Sequence, residues 1–499
     1  MAVSIEPCPT CGGGVIAGFD VVGVFMATGV APLPAGRRVG HTVRMSPARL
    51  FRIVVAIAAA IPGFAQSPPP KAFLLISIDG MHPDYVLHAD EYKLRIPNLR
   101  RLLRDGAHAT AVRGVLPTVT YPSHTTILTG VWPAKHGIYN NLTFDPMAKN
   151  QGGWYWYSED IRVPTLWQAA SKAGYVTGSV SWPVSVGAPG VQYDIPEYWR
   201  APTPDDLKLM RAIATPGLAA ELEQYAGPYI MDLDNAVPGD WARTRYASAM
   251  VTRKQVRFLT LHIASLDHLE HAAGPFSPVA LETLEEIDKM IGLLEQSAEA
   301  AESSVAVCIV SDHGFARTDH QLNLNVPFVK AGLMTPNPKK ATARAPGIID
   351  WKAEPWMAGG SAAVMLKDPN DNETRSKVQR LLQTLAADPE NGIASILDGK
   401  AIAESGGAPN AAFVVDMRPG YALGEAMEGP LVRPTKVSGT HGYSPTHPEL
   451  FASFFISGPG VRKGLDLGQI DMRSIAPILA KYLRIPFPSA DLPPLSLEH

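Results

Sequence analysis

The chain has 499 residues, of which 44 are lysine or arginine and 47 are aspartate or glutamate, giving a formal net charge of -3. This near-balance of charge does not indicate binding to nucleic-acid duplexes or anionic membranes, because proteins that bind them carry a basic patch or stripe. The length allows large hydrophobic cores and is typical of two to four domains. No internal repeat is visible, so the composition indicates a globular protein.

Residues 45–66 have the layout of a secretory signal peptide. A short basic stretch, Met45–Arg52, precedes the apolar run Ile53–Ile61, and small residues follow at Gly63 and Ala65. The apolar run is too short to span a bilayer comfortably. We therefore expect cleavage, a secreted or periplasmic mature chain, and no stable membrane span after cleavage.

A signal peptide preceded by further residues is unusual, so we expect 1–44 to be a non-native upstream extension, with translation starting at Met45. The alternative is that Cys8 and Cys11 form half of a zinc ribbon, but a CxxC without a second pair is a weak signal. Without these two, one cysteine remains, Cys308, and its apolar surroundings suit a buried structural thiol.

Beyond Lys71, short apolar runs typical of strands alternate with segments of helical spacing. The predicted elements, in chain order, are a strand at 73–78, a helix at 96–105, a helix starting near Pro122 or Ser123, a helix at 164–173, strands at 176–181 and 258–263, a helix at 279–296, strands at 305–311 and 451–456, and a helix at 470–483. This alternation predicts an α/β fold, with a mostly parallel central sheet and helices on both faces.

Between about 322 and 432 the composition changes, with many Pro, Gly, Ala and Asn residues. Strand-like runs at 362–366 and 412–415 flank a helix near 375–386. We interpret 322–432 as an inserted α+β cap subdomain, because clusters of candidate ligands stand on both sides of it. The catalytic domain then comprises residues 71–321 and 433–488.

Six acids and histidines stand at or just beyond predicted strand ends or near the C-terminus. They are Asp79, Asp267, His271, Asp312, His313 and His441. Open α/β sheets bind ligands beyond the carboxyl ends of their strands, and zinc takes imidazole nitrogen and carboxylate oxygen in fours. Each residue alone has a plainer explanation, such as a helix cap or a loop histidine. Their joint appearance in this order favours a centre for two divalent metals.

A nucleophile is expected in the turn-rich stretch that holds Thr118 and Thr120, just before a predicted helix. A hydroxyl at a helix N-terminus can simply cap the helix. If Thr120 instead faces a metal, the ion lowers the pKa of its hydroxyl and prepares it to attack phosphorus. The helix N-terminus adds partial positive charge that favours a phosphate.

Six ordered motifs carry a resemblance to a known family. They are Ser77-Ile-Asp-Gly80, Pro117-Thr-Val-Thr-Tyr-Pro-Ser-His124, Thr129-Gly130 with Pro133 and His136-Gly137, Asp267 with His271 and Gly274-Pro275, Ser311-Asp-His-Gly314, and Gly439-Thr-His-Gly442. Over roughly residues 72–485 the chain resembles type I phosphodiesterases, the nucleotide pyrophosphatase/phosphodiesterase branch of the alkaline phosphatase superfamily. The resemblance implies an alkaline-phosphatase-like fold.

The resemblance also implies two zinc ions and their ligands. One ion is assigned Asp79, Asp312 and His313, with the Thr120 oxygen as fourth neighbour. The other is assigned three further residues and an open position. These three are Asp267, His271 and His441.

In the mechanism that the resemblance implies, Thr120 attacks in line and forms a phosphothreonine intermediate. Asn141 matches the asparagine that hydrogen-bonds a non-bridging phosphate oxygen, with Asn140 as the competing choice by one position. Tyr121 fits the aromatic residue that stacks on a nucleobase. The implied partner is a small phosphodiester, expected to be a nucleotide.

Two residues depart from the family pattern: Ser123 replaces an asparagine common in relatives, and Glu270 replaces a glycine before His271. Glu270 is expected to add negative charge beside a metal site, which weakens the nucleotide assignment. A phosphomonoesterase or a phosphonate (C–P) hydrolase is therefore an alternative, although no arginine besides Arg113 stands near the nucleophile motif. A non-catalytic metal-binding relative is a second alternative, which the intact ligand set disfavours.

Overall fold

In the computed structural model of this chain, the described residues are 68–150, 152–200, 204–231, 237–337 and 347–498. The predicted upstream extension 1–44 and signal peptide 45–66 lie outside them. Within these ranges, no helix combines the length and the apolar character needed to cross a membrane.

An eight-stranded sheet lies at the centre of the described fold. Its strands, in spatial order, are Leu465–Asp466, Ala107–His108, Phe454–Ser457, Val305–Val310, Ala72–Ile78, Phe258–Ile263, Thr177–Val180 and Tyr193–Ile195. Phe454–Ser457 runs antiparallel to both neighbours, whereas the other pairings are parallel. The predicted mostly parallel α/β sheet is therefore confirmed.

Both faces of this sheet are buried, which explains the unbroken apolar runs in its sequence. On the central strand, Phe73 and Leu75 point into one hydrophobic core. Leu74, Ile76 and Ile78 point into the core on the opposite face. Side chains alternate across a strand, so an element covered on both sides must be apolar at every position.

Helices cover both faces. The α-helices in the described ranges are Asp84–Leu87, Pro97–Asp105, Thr120–Thr129, Pro133–His136, Leu166–Lys172, Pro204–Ile213, Leu218–Ala226, Val237–Arg253, Ser265–Ala273, Pro278–Ala301, Asn325–Lys330, Asn372–Ala386, Gly399–Glu404 and Ile475–Tyr482. Several predicted starts differ from the structure by two or more residues. The helix expected from Pro122 or Ser123 begins at Thr120, because proline is tolerated in a first helical turn.

The predicted helix at 470–483 is also wrong in its first part. Gln469–Asp471 is a short strand that pairs with Ala111–Arg113. A single 3-10 turn, Met472–Ser474, follows, and the helix begins at Ile475. Pairing with a distant strand here overrides the local helical pattern.

Residues between Ala316 and Leu450 build a further hydrophobic core. A four-stranded antiparallel sheet lies in this region. Its strands, in spatial order, are Ala353–Met357, Ser361–Leu366, Ala411–Met417 and Ile393–Asp398. A two-stranded sheet pairs Met334–Pro336 with Ile348–Trp351. We propose that 322–432 is the inserted cap subdomain.

Two paired strands connect this region to the central sheet. Ala316–Leu322 pairs antiparallel with Val432–Thr440, and Ala316 lies opposite Thr440. Gly420–Leu423 is the third strand of this small sheet. The pairing places the segment just after Asp312 and His313 beside the segment just before His441.

Candidate active site

The three candidate aspartates converge at the carboxyl edge of the central sheet. Asp79 directly follows the strand Ala72–Ile78, and Asp312 lies two residues after the neighbouring strand Val305–Val310. Asp267 lies in the first turn of the helix that follows the other neighbouring strand. Parallel strands in register therefore bring side by side three acids that are far apart in sequence.

One cluster consists of Asp79, Asp312 and His313, all buried. His313 Nε2 lies 3.5 Å from Asp79 Oδ1 and 3.1 Å from Asp312 Oδ2. None of these three atoms has a hydrogen-bond partner among the described residues. Buried polar atoms are normally paired, so three unpaired atoms facing one another fit a cation site.

The second cluster consists of Asp267, His271 and His441. Asp267 Oδ2 lies 3.6 Å from His271 Nε2, and Asp267 Oδ1 lies 3.6 Å from His441 Nε2. Each histidine uses its other nitrogen as a donor: Nδ1–H of His271 to the Gly439 carbonyl at 3.2 Å, and Nδ1–H of His441 to the Thr118 carbonyl at 3.1 Å. Such backbone bonds fix the tautomer that leaves Nε2 free for a metal.

The two clusters are contiguous through His313. Its ring stacks on that of His441, with centroids 3.8 Å apart. Ligand atoms of Asp267, His313 and His441 also lie within 4.8 Å of one another. The structure thus brings all six predicted ligand residues into one place.

The electrostatics of the first cluster also fit a bound cation. Burial, together with the carboxylates of Asp312 and Asp267, raises the pKa of Asp79 well above its ordinary value. Burial raises the pKa of Asp312 to about 6. Burial lowers the pKa of His313 well below its ordinary range and lowers that of His441 to about 4. Positive charge at this place would offset the crowding of carboxylates.

Thr120, rather than Thr118, lies at this centre. Thr120 lines a cleft together with Asp79 and Asp267. The Thr118 hydroxyl donates to the Tyr443 carbonyl at 3.0 Å, so it is used to hold the backbone. Thr120 begins its helix, which places the hydroxyl at the partially positive helix end.

Asn141, rather than Asn140, faces Thr120. Asn141 Nδ2 lies 3.5 Å from Thr120 Oγ1, and its Oδ1 accepts from the backbone N–H of Tyr121 at 2.8 Å. Asn140 instead donates to the Met357 carbonyl at 3.0 Å. The structure therefore places the side chain of Asn141, and not that of Asn140, beside Thr120.

The expectation that Tyr121 stacks on a nucleobase is contradicted by its burial. Tyr121 lies in the wall of the cleft, but it is 0% exposed. Its hydroxyl donates to Glu197 Oε1 at 2.8 Å. Successive helical residues are turned by about 100°, so Tyr121 faces the interior when Thr120 faces the cleft. Aromatic surface in the cleft comes from Trp154 and Trp199, whose ring centroids are 4.9 Å apart.

Two residues behind the first cluster were not predicted. His262 Nε2 lies 2.9 Å from Asp79 Oδ2, and His262 Nδ1 lies 2.7 Å from Glu197 Oε2. Burial lowers the pKa of His262, but the charge of Glu197 and the hydrogen bonds that His262 donates to Asp79 and Glu197 outweigh burial and raise it well above its ordinary value. The sequence offers one indication of this pair, because His262 is a polar residue inside the apolar run 258–263. Nothing in the sequence around Glu197 indicates its role.

Asp240 and Arg243 were also missed. Asp240 accepts hydrogen bonds from the backbone N–H groups of Ala264 at 3.2 Å and Ser265 at 2.8 Å. These residues start the helix that carries Asp267 and His271. Arg243 forms an ion pair with Asp240 and lines the cleft. Because the contacts of Asp240 with Ala264 and Ser265 span 24 and 25 residues, no local sequence pattern indicates them.

Glu270, which was expected to add negative charge beside a metal site, is not among the residues that line the cleft. It is 0% exposed, and its Oε1 accepts from the Tyr85 hydroxyl at 2.5 Å. Burial raises the pKa of Glu270 well above its ordinary value, which favours the neutral acid. Arg113 lies apart from the cleft lining and pairs with Asp471 at 3.4 Å.

The cleft has a volume of about 220 Å³. Beside Thr120 and the two aspartates, it is lined by aromatic, acidic and cationic side chains. These include Trp154, Glu197, Trp199, Arg243, His262 and His268. A small molecule with a planar ring and an anionic group matches this lining.

Solved structures of similar fold support this architecture. Human ectonucleotide pyrophosphatase/phosphodiesterase 5 superposes with a TM-score of 0.58 and 19% identity, over 85% of this chain and 97% of that one. The murine counterpart was solved in an inactive form, with one threonine replaced by alanine, in complex with AMP. It superposes with a TM-score of 0.56 and 18% identity, over 85% of this chain and 97% of that one. The fold is therefore alkaline-phosphatase-like, as predicted.

Sequence comparisons identify the family. Human ectonucleotide pyrophosphatase/phosphodiesterase family member 5 is 24% identical over 284 residues, 54% of this chain and 50% of that protein. Venom phosphodiesterase of Naja atra is 26% identical over 263 residues, 50% of this chain and 26% of that protein. The chain thus spans half or less of the length of these curated relatives. The profile described as type I phosphodiesterase / nucleotide pyrophosphatase matches residues 73–444, and the chain belongs to that family.

Proposed function

We propose that this chain is an exported phosphodiesterase or nucleotide pyrophosphatase that holds two zinc ions and uses Thr120 as its nucleophile. One observation carries the proposal. The Thr120 side chain lines the same cleft as Asp79 and Asp267, next to buried carboxylate and imidazole atoms that lack partners among the described residues. Hydroxyl, carboxylate and imidazole groups in this arrangement suit metal-assisted phosphoryl transfer.

The residues that would hold the ions divide into two sets. Asp79, Asp312 and His313, with Thr120, would hold one ion. The second ion would be held by Asp267, His271 and His441. Zinc takes oxygen and nitrogen ligands of these kinds. When bound, the ions would supply positive charge that lowers the pKa of the Thr120 hydroxyl and stabilises charge on the phosphoryl oxygens.

The proposed reaction has two displacements at phosphorus. Thr120 Oγ forms a bond to phosphorus as the bond to the leaving oxygen breaks; the leaving oxygen takes the bonding electron pair, and the hydroxyl proton passes to solvent. This gives a phosphothreonine intermediate. A water oxygen then bonds to the same phosphorus as the bond to Thr120 Oγ breaks; the water loses a proton, Thr120 regains one, and the product is released. Asn141, with Nδ2 3.5 Å from Thr120 Oγ1, would donate to a non-bridging oxygen in both steps.

We infer that the substrates are small phosphodiesters, with nucleotides favoured. A diester carries one negative charge on its phosphoryl oxygens, and two ions with one amide donor suffice to neutralise and orient it. The rings of Trp154 and Trp199 offer a planar base a surface, and base–aromatic stacking contributes about 1–3 kcal/mol. The AMP complex of the murine relative supports a nucleotide.

A hydrolysis panel tests this function. The protein is stripped with a chelator, then tested with and without added zinc on a chromogenic nucleotide diester, a small alkyl diester, a monoester and a phosphonate. We expect zinc-dependent turnover in which the nucleotide diester is fastest. A faster monoester or phosphonate would assign the chain to that alternative, and no zinc-dependent turnover would indicate a non-catalytic relative.

Export is tested separately by N-terminal sequencing of native protein recovered from the periplasm or the medium. We expect the sequence to begin close to Ser67, after removal of residues 45–66. Exported protein beginning at Met1 would contradict both the signal peptide and the start at Met45.

A further inference from the structure

The two carboxylate oxygens of Asp79 have different environments. Oδ2 accepts a hydrogen bond from His262 Nε2–H at 2.9 Å. Oδ1 has no hydrogen-bond partner in the described parts of the chain and lies 3.5 Å from His313 Nε2. Because the carboxylate cannot rotate without losing the bond to His262, Oδ1 alone is presented to the cluster that would hold the first metal.

His262 is itself held from behind. Its Nδ1 lies 2.7 Å from Glu197 Oε2 and 3.1 Å from the Ser181 carbonyl. Its ring makes an edge-to-face contact with the ring of His124, with centroids 4.6 Å apart. Both ring nitrogens are thus engaged, and the imidazole is 2% exposed, so its orientation is determined by buried contacts.

Glu197 continues this network toward the candidate nucleophile. Its Oε1 accepts from the Tyr121 hydroxyl at 2.8 Å, while its Oε2 faces His262. Tyr121 directly follows Thr120 in the sequence. Three consecutive side-chain contacts therefore link Asp79 to the first turn of the helix that carries Thr120.

We propose that His262 and Glu197 are positioning residues, which hold Asp79 so that Oδ1 alone faces the first metal and which tie that metal to the helix of Thr120. The proposal rests on the metal centre described under the proposed function. Partners that hydrogen-bond a metal-ligating side chain fix its orientation, and their loss typically costs 10–100-fold in metal affinity. In this proposal, the hydroxyl of Tyr121 connects the helix of Thr120 to Glu197.

Two substitutions at one position separate the two contacts of His262. The amide nitrogen of asparagine takes roughly the place of Nδ1, so His262→Asn keeps the donor toward Glu197 and loses the one toward Asp79. The longer His262→Gln keeps a donor near the place of Nε2, toward Asp79. Tyr246→Phe is the control, because Tyr246 is buried and its hydroxyl has no partner in the described ranges.

The measurement is zinc affinity of the purified full chain by competition with a chelator, with metal content by mass spectrometry. We expect His262→Asn to weaken one of two zinc ions about 10–100-fold, His262→Gln to weaken it less, and Tyr246→Phe to leave both unchanged. In a chain that already carries Asp79→Ala, His262→Asn should change little further, whereas adding Asp267→Ala to His262→Asn should remove the remaining ion.

Glu197→Gln provides a second route if His262→Asn fails to fold, as judged by circular dichroism and Tm. It should weaken the same ion, and combining it with Tyr121→Phe should give less than the sum of the two effects. Folded His262→Asn or Glu197→Gln with wild-type affinity for both ions would overturn the positioning role. A wild-type chain that binds no zinc would instead overturn the proposed function.

Discussion

His441 donates a hydrogen bond from Nδ1 to the backbone carbonyl of Thr118 at 3.1 Å, across 323 positions of sequence. Thr118 lies two residues before Thr120, so this bond ties the end of the Val432–Thr440 strand to the segment of the candidate nucleophile. The backbone N–H of Gly442 donates to the same carbonyl at 2.9 Å. His441 Nε2 is thereby aimed at Asp267, 3.6 Å away.

His441→Ala should therefore weaken one metal far more than the other. It removes Nε2 from the second cluster and leaves Asp79, Asp312 and His313 in place. Metal content after graded exposure to a chelator is the measurement. A variant that retains two equally tight zinc ions would show that His441 is only a structural histidine of its loop.

Thr120→Ala should reduce turnover on the order of a thousandfold or more, because it removes the nucleophile, which acts as a unit with the groups around it. Both metals should stay bound, because the carboxylate and imidazole ligands remain. Thr120→Ser keeps a hydroxyl and is the matched variant, which should retain much more activity. Initial rates on a chromogenic diester are measured beside zinc content. Near-full activity in Thr120→Ala, with an inactive Thr118→Ala, would shift the nucleophile by two residues.

Asp240→Asn should loosen the second metal site selectively. Asp240 holds the start of the helix that carries Asp267 and His271, and losing one acceptor there should cost that ion about 10–100-fold in affinity. Asp288→Asn is the control, because Asp288 accepts from Asn98 and Leu99 at the start of another helix. Equal zinc affinity in both variants would limit Asp240 to a role in stability.

Trp199→Ala should lower kcat/KM on a nucleotide diester by roughly ten- to hundredfold, from the loss of 1–3 kcal/mol of stacking. A small alkyl diester should be affected much less, because it has no ring to stack. Trp154→Ala should behave similarly, since the two rings are neighbours in the cleft. Equal losses on both substrates would indicate that these tryptophans only support the cleft wall.

Glu354 should make stability depend on pH. Burial, with a contribution from the charge of Asp145, raises the pKa of Glu354 from 4.5 to about 7. Between these values the unfolded chain binds fewer protons at this residue than the folded chain, so the free energy of unfolding falls as pH rises and levels off above about 7. Glu354→Gln should raise Tm more at pH 8 than at pH 4.5.

The exposed Glu373 provides the control for that prediction. Glu373→Gln should shift Tm by similar small amounts at both pH values. If Glu354→Gln gives the same Tm difference from wild type at pH 4.5 and pH 8, then burial of Glu354 does not govern its protonation.

The fold and the convergence of Asp79 and Asp312 could be predicted because their signals are local. Asp79 and Asp312 each terminate an apolar run, and parallel strands bring such ends to one edge of a sheet. His441 was placed only through the motif around it. Its approach to Asp267 depends on a strand pairing, Ala316 with Thr440, that no local pattern indicates.

Other features could not be predicted, because they depend on packing between distant segments. Tyr121 was assigned a stacking role from its position next to Thr120, yet its ring is buried in the cleft wall and its hydroxyl is bonded to Glu197. Glu197 and Asp240 reach their partners across 65 and 25 residues, respectively. Each member of such a buried polar network is an isolated polar residue in the sequence, and its distance along the chain from its partners follows no repeating pattern.

The central claim is that Thr120 becomes covalently attached to phosphorus during turnover. The most direct measurement is acid quenching during hydrolysis of a nucleotide diester, followed by proteolysis and mass spectrometry of the peptide that contains Thr120. We predict a nucleoside phosphoryl adduct on Thr120 that is absent from Thr120→Ala. An adduct on another residue, or undiminished turnover without any adduct, would contradict the account.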